Sequence, residues 1–438
     1  MKRIIILLLF VPLLAVGQKE ISPESIEEKM QWFADAKLGI FIHWGIYAVD
    51  GVSESWSFHN GQISHTDYMK QLKGFTASKY DPEAWADLIK ESGARYSVLT
   101  TKHHDGVALW KSGPINVVKD TPAKRDLLTP FYNALRSRDI KTGAYFSLID
   151  WSHQDYPGFL KDSSRYKVSE QPKRWEKFKA FNQDQIEEIA TKFNPDLWWF
   201  DGDWEHSAKE WGSTEIRDII LKQNPDAIIN GRLQGYGDYE TPEQNFPVSR
   251  PAYPWWELCM TTNDNWGYRQ SDTNWKTPYE IITIFVDAVS YGGNLLLDIG
   301  PMEDGTIPDE QVHILKELGA WNKKNGEAIF ETIPGLPQGH FYGPSTMSKD
   351  STSLYLFLPA KTTGEVMLKG LKSKINKITV VGDGSILEHK VVGKISWSPV
   401  PGLVYIDVPA EVQDKYVTVL KLELDEPVSL YRGKGGLQ

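Results

Sequence analysis

The stretch NPDLWWFDGDWEHS, residues 194 to 207, sets Asp196, Asp201, Asp203 and Glu205 among Trp198, Trp199, Phe200 and Trp204. Carboxylates supply nucleophiles and proton donors, and aromatic rings supply flat apolar faces. Together they suit a sugar, whose hydroxyls need fixed donors and acceptors and whose ring carries an apolar C–H face. A carboxylate held in an aromatic mouth can attack an anomeric carbon or stabilise positive charge there. LWWFD reads as a buried strand. Side chains alternate along a strand, so Asp201 shares a face with Leu197 and Trp199. Gly202, which follows, permits close approach of a substrate. Asp203 and Glu205 fall in the loop beyond, as rim hydrogen-bonding groups. Asp201 therefore ranks ahead of Asp203, though not decisively.

Glycoside hydrolysis needs a second carboxyl. Glu54, Glu240, Glu243 and Glu257 are candidates. Glu243 lies in GYGDYETPEQNFP, read as a long loop after the fifth strand, and such loops deliver catalytic groups over a barrel mouth. Glu257 sits between Trp256 and Leu258 in a strand-like run, where a structural role is equally open.

The elements that must position these groups alternate along the chain. SPESIEEKMQWFADA, DPEAWADLIKESGA, RDLLTPFYNALRSRDI, RWEKFKAFNQDQIEEIATKF and STEIRDIILKQNP carry helical periodicity. Between them, LGIFIHWG, RYSVLTTKHHDG, KTGAYFSLID, PDLWWFDGD and DAIINGRL read as strands. Such alternation means parallel strands with crossover helices. No Gly-rich fingerprint follows the first strand, which disfavours a dinucleotide fold. The expectation is an irregular (β/α)8 TIM-like barrel, with PWWELCM and GGNLLLDIGP as later strands set apart by long loops. From about residue 336, after a Gly/Pro-rich linker at 333–345, short alternating segments predict a C-terminal antiparallel β-sandwich. The expected domains are 18–335 and 336–438, after a leader at 1–17.

Active sites of such barrels lie at the C-terminal ends of the strands. The predicted strand ends bring His43, the pair His103 and His104, Tyr145, Asp201, Arg232 and Glu257 to one mouth. Adjacent strand residues point to opposite faces. Together with the lack of a third ligand at helical spacing, this argues against a metal at His103 and His104. No cofactor is expected.

The bulk numbers narrow the partners. A net charge of −10 without a basic run disfavours nucleic acid and anionic membranes, and a neutral substrate fits better. The 438 residues contain 17 Trp, more than a core alone usually requires. The start MKRIIILLLFVPLLAVG has a basic flank, an apolar run too short to span a bilayer and small residues before an expected cleavage after Gly17. Export to the periplasm or cell exterior is expected, without a membrane anchor. Cys259 is the single cysteine, so no internal disulfide can form.

The motifs KLGIFIHWGIYAV, TTKHHDGVALW, KRDLL, GAYFSLIDW, LWWFDGDW, INGR, WELCMTTNDNWGY and GGNLLLDIGP resemble, in order and spacing, those of glycoside hydrolase family 29, the α-L-fucosidases. The resemblance covers roughly residues 30 to 330 and extends to the trailing sandwich. It implies a retaining mechanism through a covalent glycosyl–enzyme intermediate, and a fucosylated glycan as substrate. It puts the nucleophile on Asp201 and, by a looser match a dozen residues past Arg232, the acid/base on Glu243, with Glu257 in reserve. It implies that His43, Trp56, His103, His104, Tyr145 and Arg232 line the sugar pocket. Many relatives have Glu directly before the Trp that matches Trp56, where this chain has Ser55, so Glu54 is expected to compensate or one hydroxyl contact to be lost. Rival readings are a glycosidase for a related sugar such as galactose, a carbohydrate-binding protein without catalysis, and a metal-dependent hydrolase built on His103 and His104. A fucose pocket requires an apolar wall around the methyl group that replaces a hydroxymethyl.

Overall fold

Seven short strands, apolar and almost wholly buried, form the centre of the computed structural model, which describes residues 23–433. They are β1 (Leu38–Ile42), β2 (Tyr96–Lys102), β3 (Lys141–Ser147), β4 (Leu197–Asp201), β5 (Ile228–Ile229), β6 (Glu257–Thr261) and β7 (Asn294–Ile299). Burial on both faces explains why they read as continuous apolar runs and not as alternating ones. All pairings are parallel, in the order β5-β4-β3-β2-β1-β7-β6. The leader expected at 1–17 lies outside the described residues.

The gap between β5 and β6 is filled by the segment around residues 238–244. It makes parallel bridges from Tyr239 to Asn230, from Glu240 to Trp256 and from Glu243 to Cys259. Asp238 N donates to Ile229 O at 2.6 Å, Glu257 N to Glu240 O at 2.9 Å and Cys259 N to Pro242 O at 3.0 Å. This irregular stave closes the sheet into a TIM-like barrel. It replaces the long loop expected after the fifth strand. Pro242, which lacks an N–H, and the Gly235–Gly237 turn hide the strand signal.

Helices cover the strands because their first turns are locally satisfied. Asp81 accepts from the backbone N–H groups of Glu83 and Ala84 to start the helix Pro82–Glu91. Thr277 and Glu280 form a reciprocal capping box on Pro278–Ser290.

Two antiparallel sheets follow. One orders 333–334, 345–347, 353–358, 418–424 and 375–380, and the other 366–369, 403–406 and 389–392. The stretch read as a linker thus contributes an edge strand, Ile333–Pro334, paired with Met347 and Thr346. Period-two alternation divides the five-stranded sheet: Leu354 and Leu356 enter the core between the sheets, while Tyr355 and Phe357 join the barrel's own core cluster. Trp321 Nε1 donates to Val417 O at 2.9 Å across the same seam. Among the described residues no helix is long and apolar enough to cross a membrane.

Candidate active site

The C-terminal ends of the staves enclose a cavity of about 120 Å³ lined by Phe41, His43, Glu54, Trp56, His103, Tyr145, Trp199, Asp201, Trp204, Arg232, Glu243 and Trp266. A larger cleft of about 1030 Å³ opens near Arg95, at the N-terminal end of β2, but no Trp, Tyr or His lines it.

Asp201 ends β4 and its carboxylate is held by two donors. Oδ2 accepts from the Tyr145 hydroxyl at 2.9 Å and lies 3.5 Å from His104 Nε2, and Oδ1 accepts from Arg232 Nη1 at 3.0 Å. Gly202 turns the chain immediately afterwards at φ 82, and a Cβ there would lie 2.6 Å from Ile149, so only glycine fits. Asp203 points away from the cavity and its Oδ2 accepts from Gln234 N at 2.9 Å.

Arg232 follows β5 and spans two carboxylates. Its other nitrogen, Nη2, lies 2.6 Å from Glu243 Oε2, and Nε donates to Thr241 Oγ1 at 3.0 Å. The guanidinium sits over the Trp199 ring, 4.5 Å from its centroid. Burial works against this charge, but attraction to Asp201 and Glu243 outweighs it and holds the group above its usual range. The Glu243 side chain is 40% exposed against 13% for Asp201. One carboxylate is therefore fixed and mostly buried, and the other stands at the rim.

The three histidines are each oriented through Nδ1. His43 Nδ1 lies 2.7 Å from Asp298 Oδ1, His103 Nδ1 2.6 Å from Ser55 Oγ, and His104 Nδ1 2.6 Å from Ser147 Oγ. Ser147 donates its hydroxyl hydrogen to Ile149 O, so it accepts from His104, whose Nε2 then faces Asp201 without a hydrogen-bond partner. Burial, and then repulsion from the neighbouring imidazoles, holds His43 and His103 well below the usual range. Burial and nearby positive groups press His104 down to about 3. All three act as neutral hydrogen-bonding groups near pH 7.

The expectation that His103 and His104 point to opposite faces is corrected. Their ring centroids are 4.4 Å apart and both rings approach the same site. Strand alternation does not govern them, because β2 ends at Lys102 after a register shift beyond Thr100. Among the described residues no group of three His, Cys, Asp or Glu side chains is arranged to hold a metal ion.

Glu257 is also placed differently from its expected position at a strand end. It begins β6, opposite Asn294, and so lies in the lower layer of the barrel interior, away from the cavity. It is fully buried, accepting from Tyr96 OH at 2.5 Å and from Trp199 Nε1 at 3.0 Å. Glu240, a further candidate, is one bridge lower on the closing stave than Glu243 and does not line the cavity.

Phe41 and Trp266 line the cavity and were not singled out in sequence. Phe41 was within reach of the alternation rule, since it stands two residues before His43 on the same face. Trp266 lies within the motif WELCMTTNDNWGY but on the loop after β6, where no periodicity fixes its direction. Phe41 packs 5.0 Å from Trp199, 5.9 Å from Tyr145 and 6.1 Å from Trp266, which gives the cavity an apolar wall. Glu54 occupies a strained backbone position at φ 34, with Oε1 accepting from Gly267 N at 2.6 Å. Ser55, directly before Trp56, turns to His103, and Glu54 reaches the cavity.

The family model for α-L-fucosidase matches residues 15–327. The chain is 32% identical over 408 residues to a human tissue α-L-fucosidase, covering 84% of this chain and 83% of that protein. Its fold is similar to that of α-L-fucosidase isoenzyme 1 from Paenibacillus thiaminolyticus, with a TM-score of 0.83, 30% identity and coverage of 92% and 100% of the two chains. It is also similar to a Bacteroides thetaiotaomicron GH29 α-L-fucosidase, trapped as a covalent intermediate with 2-fluoro-fucosyl fluoride in a Glu-to-Gln mutant. That match has a TM-score of 0.80, 28% identity and coverage of 91% and 96%. This chain belongs to the α-L-fucosidase family, glycoside hydrolase family 29.

Proposed function

We propose that the protein is a retaining, exo-acting α-L-fucosidase that removes terminal α-L-fucose from glycans, with Asp201 as nucleophile and Glu243 as acid/base. The observation that carries this reading is the Arg232 fork, which touches a fixed, mostly buried carboxylate with one arm and a rim carboxyl with the other. A cavity of about 120 Å³ has room for one sugar ring, which favours attack on a chain end. The wall of Phe41, Trp199 and Trp266 presents mainly ring carbon and suits a methyl group.

In the first step an oxygen of Asp201 bonds to the anomeric carbon as the glycosidic C–O bond breaks. The leaving oxygen takes the proton of Glu243. In the second step Glu243 takes a proton from water, the water oxygen bonds to the same carbon, and Asp201 is released. Two inversions return the original anomer, and the reaction balances with water alone. His43, Trp56, His103, Tyr145, Trp199 and Arg232 would hold the sugar, with His104 behind Asp201. Around this core, export of the chain and its division at about residue 335 complete the reading.

Hydrolysis of an aryl α-L-fucoside followed by NMR tests it. α-L-Fucose is expected as the first-formed anomer. Appearance of β-L-fucose first would sink the retaining mechanism, and binding without hydrolysis would leave a carbohydrate-binding protein.

A further inference from the structure

Trp204 stands on the rim of the cavity with half its surface bare: it is 51% exposed, whereas its neighbour Trp151 is buried. Its short turn, Asp203–Glu205, is pinned on both sides. Asp203 O accepts from Trp211 Nε1 at 2.9 Å and from Gln234 Nε2 at 2.8 Å, and Asp203 Oδ2 accepts from Gln234 N. Glu205 Oε1 accepts from Trp151 Nε1 at 3.1 Å, and Oε2 accepts from Tyr156 OH. The extra acids of the Asp201 region thus serve as anchors for the turn that carries the indole. An indole fixed at the mouth of a cavity offers a flat apolar face on which the C–H face of a sugar can lie.

The cavity leaves the next sugar ring outside it. On the fucosidase reading that ring departs from the side of the proton donor, and the half-exposed Trp204 lines the same cavity as Glu243, beside Trp56, whose ring is 16° from parallel to Trp204 at 6.3 Å between centroids. We infer that Trp204 is the platform for the first sugar of the leaving group, a pyranose that lays an apolar C–H face on the indole. This inference rests on the fucosidase reading and adds a preference for glycans over fucosides with small leaving groups. Stacking on a rigid indole needs no reordering of the protein, so its effect falls on binding of the leaving sugar.

The test compares Trp204→Ala and Trp204→Phe with wild type on two substrates, an α-L-fucosyl-galactose disaccharide and α-L-fucosyl fluoride, whose leaving group has no ring. For Trp204→Ala, the loss of kcat/KM on the disaccharide is expected to exceed the loss on the fluoride by about tenfold, mainly through KM. Trp204→Phe should recover most of the difference. Equal losses on the two substrates, or no excess loss on the disaccharide, overturn the inference. The fluoride also reports whether each variant has folded. Wild-type protein that hydrolyses neither substrate defeats the fucosidase reading itself, an outcome distinct from any pattern among the variants.

Discussion

Nη2 of Arg232 lies 2.6 Å from Oε2 of Glu243, and the same guanidinium reaches Asp201 Oδ1 through Nη1 at 3.0 Å. One planar cation therefore sets the spacing of both carboxyls. Lysine cannot reproduce this, since its ammonium is a single point charge on a flexible stem. Arg232→Lys should lower kcat by on the order of 10²-fold, the effect of removing one aligned donor from a reacting centre. A variant with kcat within twofold of wild type would show that the fork is dispensable.

Asp201→Gly should abolish turnover of aryl fucosides, and added azide should restore part of it. Azide would enter from the side Asp201 vacates and give β-L-fucosyl azide, identifiable by NMR. Recovery of the α-azide, or activity without azide, contradicts the assignment of the nucleophile.

Glu243→Ala should cost about 10²–10⁴ in rate on substrates with poor leaving groups and much less on activated aryl fucosides. Steady-state kinetics across a series of leaving groups will measure this. Should Glu257→Ala give that pattern and Glu243→Ala not, the two roles are exchanged.

Glu257 contributes to pH dependence from beneath the site. Burial pushes its carboxyl from 4.5 up to about 7, against the hydrogen bonds from Tyr96 and Trp199 that favour its charged form. Between these values the folded state keeps a proton that the unfolded state has released. Stability is therefore greatest below about pH 4.5 on this account and falls as pH rises to about 7. The size of the fall is roughly 3 kcal/mol for such a shift. Glu54, also buried and raised to about 7, acts in the same direction. Glu257→Gln stays neutral, so its Tm should decline less between pH 5 and 8 than that of wild type. Parallel curves for the two proteins would remove Glu257 from this account.

The apolar wall predicts discrimination at the sugar's sixth carbon. An α-L-galactoside places a hydroxyl against Phe41, Trp199 and Trp266, where it leaves water without gaining a partner. Its kcat/KM should be at least about tenfold below that of the matching α-L-fucoside, since an unpaired buried hydroxyl costs about 1–3 kcal/mol. Equal rates on the two sugars would mean that the wall does not contact that position.

Much of this arrangement was legible before any coordinates. Asp201 could be ranked from strand alternation, because a residue that ends a buried strand must face either the barrel interior or the helices. His43 and Tyr145 followed from their places near the ends of recognised strands. Alternation failed for His103 and His104, because the strand stops at Lys102 and the loop beyond aims both rings inward. It also failed for Glu257: the strand was recognised, but its first residue was taken for its last, which moved the carboxyl from the lower layer to the mouth.

Local pattern determined the barrel strands, the crossover helices and the trailing antiparallel sheets and ranked Asp201 ahead of Asp203, since periodicity and capping act over a few residues. Tertiary structure alone decided that residues 238–244 close the barrel, that Phe41, Tyr145, Trp199 and Trp266 form one wall, and that Arg232 joins Asp201 to Glu243. The reason is physical: these contacts join side chains far apart in the chain, and their distances depend on how every stave is staggered around the barrel, which no short stretch of sequence contains.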